Sequence, residues 1–209
     1  TMSSCSETDP IVSPSLWWDG LVRGDAHPPL ESDATAQYAI VGGGYTGLWT
    51  AYFLKLIQPD ADIVLVEAQR IGHGASGRNG GWLMGALEGC AAFVDDTGVL
   101  PIAAMQQLTQ LVSRAGDVLK KEGIDCDFYH GGCVMAAARH DIQVGRARKM
   151  LDDFWRLGFT EDDYHWLTPQ ELGERIGVAN PGGAVFTPHV ARIHPAKLVT
   201  GLALSLIHI

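Results

Sequence analysis

The chain has 209 residues, of which 46% are hydrophobic and 19% charged, a composition typical of a globular protein rather than a disordered one. Its 15 basic and 24 acidic residues give a net charge of −9, which disfavours binding to nucleic acid or to an anionic membrane. No run of 18 apolar residues predicts a membrane span, and the polar N-terminus lacks the apolar core of a signal peptide. We therefore expect a cytoplasmic protein without nucleic-acid or membrane partners.

The first predicted elements are an N-terminal arm and a strand–helix–strand unit. Residues 1–36 contain several prolines and little periodicity, which predicts an extended arm. Within it, the apolar segment Leu16-Trp17-Trp18 is expected to pack on the main body. The apolar runs at 38–41 and 63–66 are typical of buried parallel strands, and a helix starting at Tyr45 connects them.

The helix between these strands has one apolar face and ends before Pro59, which cannot continue it. This face comprises Leu48, Ala51, Tyr52 and Leu56. The second strand ends at Glu67 and leads into a loop, residues 72–81, that contains five glycines in ten positions. The chain thus has two glycine-rich segments, one before the helix and one after the second strand.

Beyond residue 90 the pattern predicts a mixture of helices and short strands. The predicted elements are a helix with an apolar stripe from Met105 to Leu119, a strand over 132–136, a helix over 142–157 capped by Asp141, a short helix after a capping box at Thr168 and Glu171, β structure within 178–193, and a helix from Pro195 with Leu198, Leu202 and Leu206 on one face. Because this last helix reaches Ile209 with an apolar and uncapped end, we expect a fragment of a longer protein, or a chain whose last few residues are foreign.

The first glycine segment has the spacing Gly42-x-Gly44-x-x-Gly47, between a strand and a helix. Gly42 permits a tight turn, Gly44 lets a pyrophosphate approach the backbone, and Gly47 lets the helix pack close to the strand. The helix N-terminus offers free N–H groups to phosphates. Glu67, 20 residues after Gly47, can accept hydrogen bonds from a ribose and disfavours a 2′-phosphate. The segment predicts a dinucleotide site but does not separate FAD from NAD.

The second glycine segment favours FAD. Ser76, Arg78 and Asn79 offer a hydroxyl, a guanidinium and an amide among glycines, a suitable set for diphosphate and ribityl oxygens. Gly80 and Gly81 would let a flat ring system lie against bare backbone. An NAD dehydrogenase needs no such second anion site after its acidic residue, although a mobile surface loop would also be glycine-rich.

Together the two segments resemble the FAD-dependent amine and D-amino-acid oxidase family. The resemblance is carried by "AIVGGGYTGLWTAYFLK" and "IVLVEAQRIGHGASGRNGGW", and by an arm with a tryptophan pair. Within the family the chain is most similar to the gamma-glutamylputrescine oxidase branch. The resemblance is dense over residues 38–82, looser from there to about Lys197, and departs from the family at the final "LSLIHI".

The resemblance implies an α/β fold: a Rossmann-like FAD-binding domain with part of a second, α+β substrate domain. The implied organisation is an arm over 1–36, the FAD-binding domain over 37–90, a partial substrate domain over 91–190, and a return to the FAD-binding domain over 191–209. The residues predicted to bind the cofactor are Gly42, Gly44, Tyr45, Thr46, Gly47, Glu67, Ala75, Ser76, Arg78, Asn79, Gly80 and Gly81.

The resemblance also implies a reaction. A C–H bond beside the nitrogen of an amine or amino acid breaks, hydride passes to flavin N5, and O2 or another acceptor reoxidises the flavin. No catalytic residue is assigned, and the cysteine spacings predict no metal site. We expect the fragment itself to be inactive and to bind FAD weakly or not at all. The alternatives are a non-catalytic FAD-binding fragment and a fragment of an NAD-dependent dehydrogenase.

Overall fold

The computed structural model describes residues 15–21, 28–86 and 102–208, which form two compact units. Unit 1 contains the described residues up to Gly81, together with Glu122–Cys126 and His194 onward; unit 2 contains Trp82–Lys121 and Asp127–Ile193. Much of the predicted arm, and the predicted domain boundary between residues 90 and 91, lie outside the described residues. The domain boundaries therefore stay predictions.

Unit 1 is built on the predicted strand–helix–strand motif. Its elements are a 3-10 turn at Leu16–Trp18, β1 (Tyr38–Val41), α1 (Tyr45–Ile57), β2 (Ile63–Val66), a 3-10 turn at Ala75–Gly77, and α5 (Pro195–His208). β1 and β2 are parallel, with Tyr38 opposite Ile63 and Val41 opposite Val66. The predicted strands and the helix between them are confirmed.

The apolar face of α1 is narrower than predicted. Leu48, Ala51 and Tyr52 are buried, but Leu56 is 45% exposed, so its predicted place on the buried face is wrong. Leu56 belongs to the last turn of α1 and lies outside the side of the helix that packs against α5. Glu122 links the two helices, because its carboxylate oxygens accept hydrogen bonds from Tyr52 Oη at 2.9 Å and Ser205 Oγ at 2.8 Å.

The described residues of unit 2 form two antiparallel sheets and three helices. Its elements are β3 (Trp82–Met84), α2 (Ile102–Lys121), β4 (Cys133–Ala136), α3 (Asp141–Arg156), β5 (His165–Leu167), α4 (Pro169–Arg175), β6 (Ala184–Thr187) and β7 (Val190–Arg192). β3 pairs with β7, and β6 lies between β4 and β5. A core cluster of Met105, Leu151, Phe159, Tyr164 and Val185 packs α2 and α3 against β6. The sequence predicted β structure around β6 and β7 but did not predict β3 and β5, which have only three residues each.

Two predicted helix caps in unit 2 have different outcomes. Thr168 and Glu171 form the predicted capping box: the Thr168 N–H donates to Glu171 Oε2 at 2.7 Å, and the Glu171 N–H donates to Thr168 Oγ1 at 3.3 Å. The prediction for Asp141 is wrong, since Asp141 is already helical and His140 is the N-cap. The Gln143 side-chain oxygen accepts a hydrogen bond from the His140 N–H at 2.9 Å, so the N-terminus of α3 is capped without the Asp141 carboxylate.

Candidate dinucleotide-binding site

The first glycine turn, Gly42–Gly47, joins β1 to α1 through backbone contacts. Gly42 has φ +111°, a conformation that side chains rarely adopt, and its N–H donates to the Val66 carbonyl at 2.7 Å. A Cβ on Gly47 would collide with the Gly42 carbonyl oxygen and would lie 3.2 Å from Ile40 Cγ2. The turn therefore brings the N-terminus of α1 close to the carboxyl end of β1, and only glycine fits at both ends.

Glu67 lies at the mouth of this turn. Its Oε2 accepts the Gly43 N–H at 2.7 Å, and its Oε1 accepts the Gln69 N–H at 3.0 Å. The Gly43 hydrogen bond is the main cause that lowers the pKa of the Glu67 carboxyl, and His73 acts in the same direction. Glu67 is thus held as a carboxylate at the place where the sequence predicted an acceptor for ribose hydroxyls.

The second glycine loop, Gly72–Gly81, lies directly against the first turn. The Gly72 N–H donates to the Gly43 carbonyl at 2.9 Å. Ser76 Oγ accepts the Tyr45 N–H at 2.9 Å, at the N-terminus of α1. A Cβ on Gly44 would lie only 2.9 Å from Ser76 Oγ. The two glycine segments, separated by a strand and a helix in the sequence, therefore form one continuous surface of bare backbone.

The other predicted residues of the second loop are placed differently. The Asn79 amide holds the loop itself: it donates to the Ser76 carbonyl at 3.0 Å and accepts the Gly81 N–H at 2.9 Å. Arg78, Ala75 and Gly80 are exposed, as is Thr46 of the first turn. The structure thus brings Glu67 and Ser76 to the first turn, whereas the Arg78 side chain makes no hydrogen bond or ion pair within the described residues.

The Tyr45 side chain connects the first glycine turn to the start of α5. Its hydroxyl donates to the Pro195 carbonyl at 3.0 Å, which ties the first turn to α5. Burial raises the pKa of Tyr45 to about 12, so the phenol stays protonated and keeps donating throughout the physiological range. Its backbone N–H donates to Ser76 Oγ of the second glycine loop.

Residues of the N-terminal arm hold the second loop, a role that the sequence did not predict. Ser15 Oγ donates to the Gly77 carbonyl at 2.6 Å, and Trp17 Nε1 donates to the Asn79 carbonyl at 2.7 Å. Trp18 is buried, and a Cβ on Gly77 would lie 2.7 Å from its Nε1. Trp18 thus fulfils the expected packing, while Leu16 is exposed. The tryptophan pair was the only feature of the arm from which this contact could have been predicted. Because Trp17 and Asn79 are 62 residues apart, no local pattern indicates that they are partners.

The site has the features of a nucleotide diphosphate cradle. A parallel strand, a glycine turn and a helix N-terminus are followed by a second strand that ends in a carboxylate, which is the arrangement of dinucleotide-binding α/β domains. A side chain on Gly44 would stand in this surface beside Ser76, whereas the missing side chain of Gly47 allows the close approach of α1 to Gly42. The first unit therefore has the fold and the glycine turn of the dinucleotide-binding class of α/β domains.

Comparison with known families identifies the group. Residues 37–208 match the family model of DAO, FAD dependent oxidoreductase, and the chain belongs to this family. The resemblance inferred from the two glycine segments is thus confirmed, and so is the α/β fold class with a Rossmann-like FAD-binding domain. FAD is the cofactor of the family.

The chain is similar to both curated and structurally characterised members. It is 30% identical over 178 residues to the gamma-glutamylputrescine oxidoreductase of Escherichia coli, covering 83% of this chain and 40% of that protein. The glycine oxidase of Bacillus cereus has a TM-score of 0.62 at 22% identity, covering 83% of this chain and 44% of that one. The L-amino acid deaminase of Proteus myxofaciens has a TM-score of 0.65 at 17% identity, covering 90% and 39%. The chain thus spans less than half the length of these relatives.

No helix in the described part of the chain is both long and apolar enough to cross a membrane. The same residues contain no group of three histidine, cysteine or acidic side chains that could hold a metal ion.

Proposed function

We propose that the two glycine segments bind the diphosphate of FAD, and that the protein belongs to an enzyme that oxidises a C–N bond of an amine or amino acid. The observation that carries this proposal is the meeting of Glu67 and Ser76 at the first glycine turn, within hydrogen-bond distance of Gly43 and Tyr45. The proposed cofactor-binding residues are those predicted from the sequence: Gly42, Gly44, Tyr45, Thr46, Gly47, Glu67, Ala75, Ser76, Arg78, Asn79, Gly80 and Gly81.

Each group has a separate task in this proposal. The backbone at Gly44 and the N–H groups at the start of α1 receive the phosphates, because they combine close approach with the positive end of the helix dipole. Ser76 supplies a hydroxyl at the same place. Glu67 accepts the ribose hydroxyls through lone pairs that the Gly43 and Gln69 N–H groups leave unused. Asn79 keeps Gly80 and Gly81 in position for the ring system.

FAD, when bound, supplies the acceptor for a hydride from the carbon beside the substrate nitrogen. The chain's own contribution is to fix the cofactor's phosphates and ribose. No described residue is assigned a catalytic role.

The proposed substrate class follows from the relatives. The protein of Escherichia coli is a gamma-glutamylputrescine oxidoreductase, which supports an activity of the gamma-glutamylputrescine oxidase type with O2 or another acceptor. A non-catalytic FAD-binding role is a second candidate, since the chain covers 40% of that relative.

β1 and β2 have no further strand beside them in the described residues, and Val41 is 87% exposed. Parallel sheets are normally covered on both faces, so we expect the chain alone to bind FAD weakly and to be inactive.

The test is a thermal-shift titration of the chain with FAD and, separately, with NAD. We expect FAD to raise the melting temperature and NAD to leave it unchanged. Ser76→Ala should weaken FAD binding about fivefold, the value of one hydrogen bond, whereas Ser113→Ala, an exposed serine of α2, serves as the matched control and should have no effect.

A response to NAD without a response to FAD would overturn the cofactor proposal. A stoichiometric yellow complex of the chain would show that the expectation of weak binding is wrong. Peroxide release, or reduction of an artificial acceptor, over a panel of amines and amino acids then separates the oxidoreductase from the non-catalytic candidate.

A further inference from the structure

The His73 ring, in the second glycine loop, carries a buried nitrogen without a hydrogen bond. Its Nδ1 atom is buried and has no hydrogen-bond partner among the described residues. Buried polar atoms of proteins nearly always have a partner, because an unpaired one loses its contact with water and gains nothing in return. Such a nitrogen is suited to a hydrogen bond with a bound molecule.

The backbone that carries this ring is fixed against the first glycine turn. The Gly72 N–H donates to the Gly43 carbonyl at 2.9 Å, and the His73 N–H donates to the Arg70 carbonyl at 3.0 Å. Gly72 has φ +71°, and a Cβ there would lie 2.5 Å from Val199 Cγ1. The ring therefore starts one residue from the hydrogen bond that joins the two glycine segments.

His73 also acts on Glu67, the proposed acceptor for ribose hydroxyls. The Gly43 hydrogen bond is the main cause that lowers the pKa of the Glu67 carboxyl, and the charge of a protonated His73 ring lowers it further. Glu67 accepts the N–H groups of Gly43 and Gln69, which fix the carboxylate and leave other lone pairs unused. An acceptor and a nitrogen that can donate thus lie close together at the first turn.

This pair of groups suits a ribose hydroxyl. A hydroxyl that donates its hydrogen to a carboxylate keeps lone pairs on its oxygen, and these accept a hydrogen bond from a second group. An imidazole with its hydrogen on Nδ1 is such a donor. A carboxylate beside an N–H donor therefore satisfies both the hydrogen and the oxygen of the hydroxyl.

We propose that His73 Nδ1 donates a hydrogen bond to a ribose hydroxyl of the dinucleotide, next to the Glu67 carboxylate. This proposal rests on the proposed function, because it adds a binding residue to the same site. It involves residues of unit 1 only.

The test compares two nucleotides and two variants. ADP carries the ribose and the diphosphate, whereas 2′,3′-dideoxyadenosine diphosphate lacks both ribose hydroxyls. His73→Asn keeps an N–H donor, since its amide nitrogen is bonded to Cγ as Nδ1 is, and His73→Leu has the shape of the asparagine without the donor. Dissociation constants come from the shifts of backbone amide signals in proton–nitrogen NMR spectra, which require neither FAD nor turnover.

We expect His73→Leu to raise the dissociation constant for ADP about fivefold, the effect of one lost hydrogen bond. His73→Asn should lie between His73→Leu and the wild type. Wild type and both variants should bind the dideoxy nucleotide equally, because it offers no hydroxyl to the donor. His130→Leu is the control: its ring contacts the Pro188 carbonyl in unit 2, and its removal should leave ADP binding unchanged.

The proposal is overturned if His73→Leu binds ADP as tightly as the wild type, or if it weakens both nucleotides equally. If His73→Leu does not fold, the side-chain nitrogen signals of the wild type decide: ADP should shift the His73 Nδ1 signal more than the dideoxy nucleotide does, and equal shifts reject the proposal. Weaker ADP binding by Ser76→Ala but not by His73→Leu would reject this proposal alone. A wild-type chain that binds no ADP would reject the proposed function with it.

Discussion

Unit 1 and unit 2 use their residues in opposite ways. In the first glycine turn and the second glycine loop of unit 1, backbone groups contact each other because side chains are absent, as in the bond from Gly72 to Gly43. In unit 2, large side chains fill a core around Leu151 and Val185, both at most 1% exposed. The proposed cofactor site therefore depends on the absence of side chains, whereas the fold of unit 2 depends on large side chains that pack together in a core.

The strands of the two units also differ in how deeply their side chains are buried. Every residue of β6 is buried between two antiparallel neighbours, whereas β1 alternates between half-buried and exposed positions. Substitutions that add atoms should therefore be most damaging in unit 1, and substitutions that remove them most damaging in unit 2.

The largest effect is expected from Leu151→Ala in unit 2. Leu151 is 1% exposed in the cluster with Met105 and Phe159, so its removal leaves a cavity and should lower the free energy of unfolding by about 2–5 kcal/mol. Urea unfolding followed by circular dichroism measures this change. The control is Leu111→Ala on the exposed side of α2, which should change the value by less than about 0.5 kcal/mol. Equal losses in both variants would show that the core is not the source of stability.

The next largest effect is expected from Gly47→Ala in unit 1. The added Cβ would collide with the Gly42 carbonyl oxygen, and backbone cannot move as a side chain can, so we expect a loss of about 1–3 kcal/mol. This loss should appear although alanine favours helix over glycine by about 1 kcal/mol. Gly74→Ala is the control, because nothing lies within 4 Å of its added Cβ. A neutral or stabilising Gly47→Ala would contradict the close approach of α1 to β1.

A smaller effect is expected from Trp17→Phe in the arm. Phenylalanine keeps an aromatic ring beside His194 but cannot donate to the Asn79 carbonyl, so about 1 kcal/mol should be lost. Faster hydrogen exchange of the Gly80 and Gly81 amides would locate the loss in the second glycine loop. Trp49→Phe, in which the indole stacks on Phe53 without a hydrogen bond in the described residues, should leave that exchange unchanged. Unaltered exchange in Trp17→Phe would exclude a holding role for the arm.

The smallest effect is the pH dependence contributed by Glu67. The Gly43 hydrogen bond holds its pKa below the ordinary glutamate value, so the unfolded chain binds this proton at higher pH than the folded one. The stability contributed by the carboxylate is therefore present above the ordinary pKa and is lost as the pH falls through the lowered value.

Glu67→Gln keeps an acceptor for Gly43 but does not titrate, so the stability difference from the wild type should narrow over this acidic window. The measurement is urea unfolding at a series of acidic pH values, with Glu174→Gln, an exposed glutamate of α4, as the control. A difference that stays constant across the window would rule out the Gly43 bond as a stabilising contact.

Local patterns predicted most of the fold. The periods of apolar residues predicted β1, β2 and the long helices, and the capping box at Thr168 predicted the start of α4. The errors arose where tertiary contacts override local preference. Leu56 has the right spacing for the buried face of α1 but lies on its uncovered last turn, and the strands β3 and β5 are too short to show a period.

The sequence alone predicted the chemistry proposed for the candidate site, because the glycine spacing, the strand before it and Glu67 after the second strand together favour the approach of phosphates to bare backbone beside a carboxylate. Only the tertiary structure decided which groups meet. It brings Ser76 to Tyr45, assigns Asn79 to its own loop, and attaches Trp17 to that loop. These contacts join residues far apart in the chain, and their distances follow from packing, which no local pattern of residues encodes.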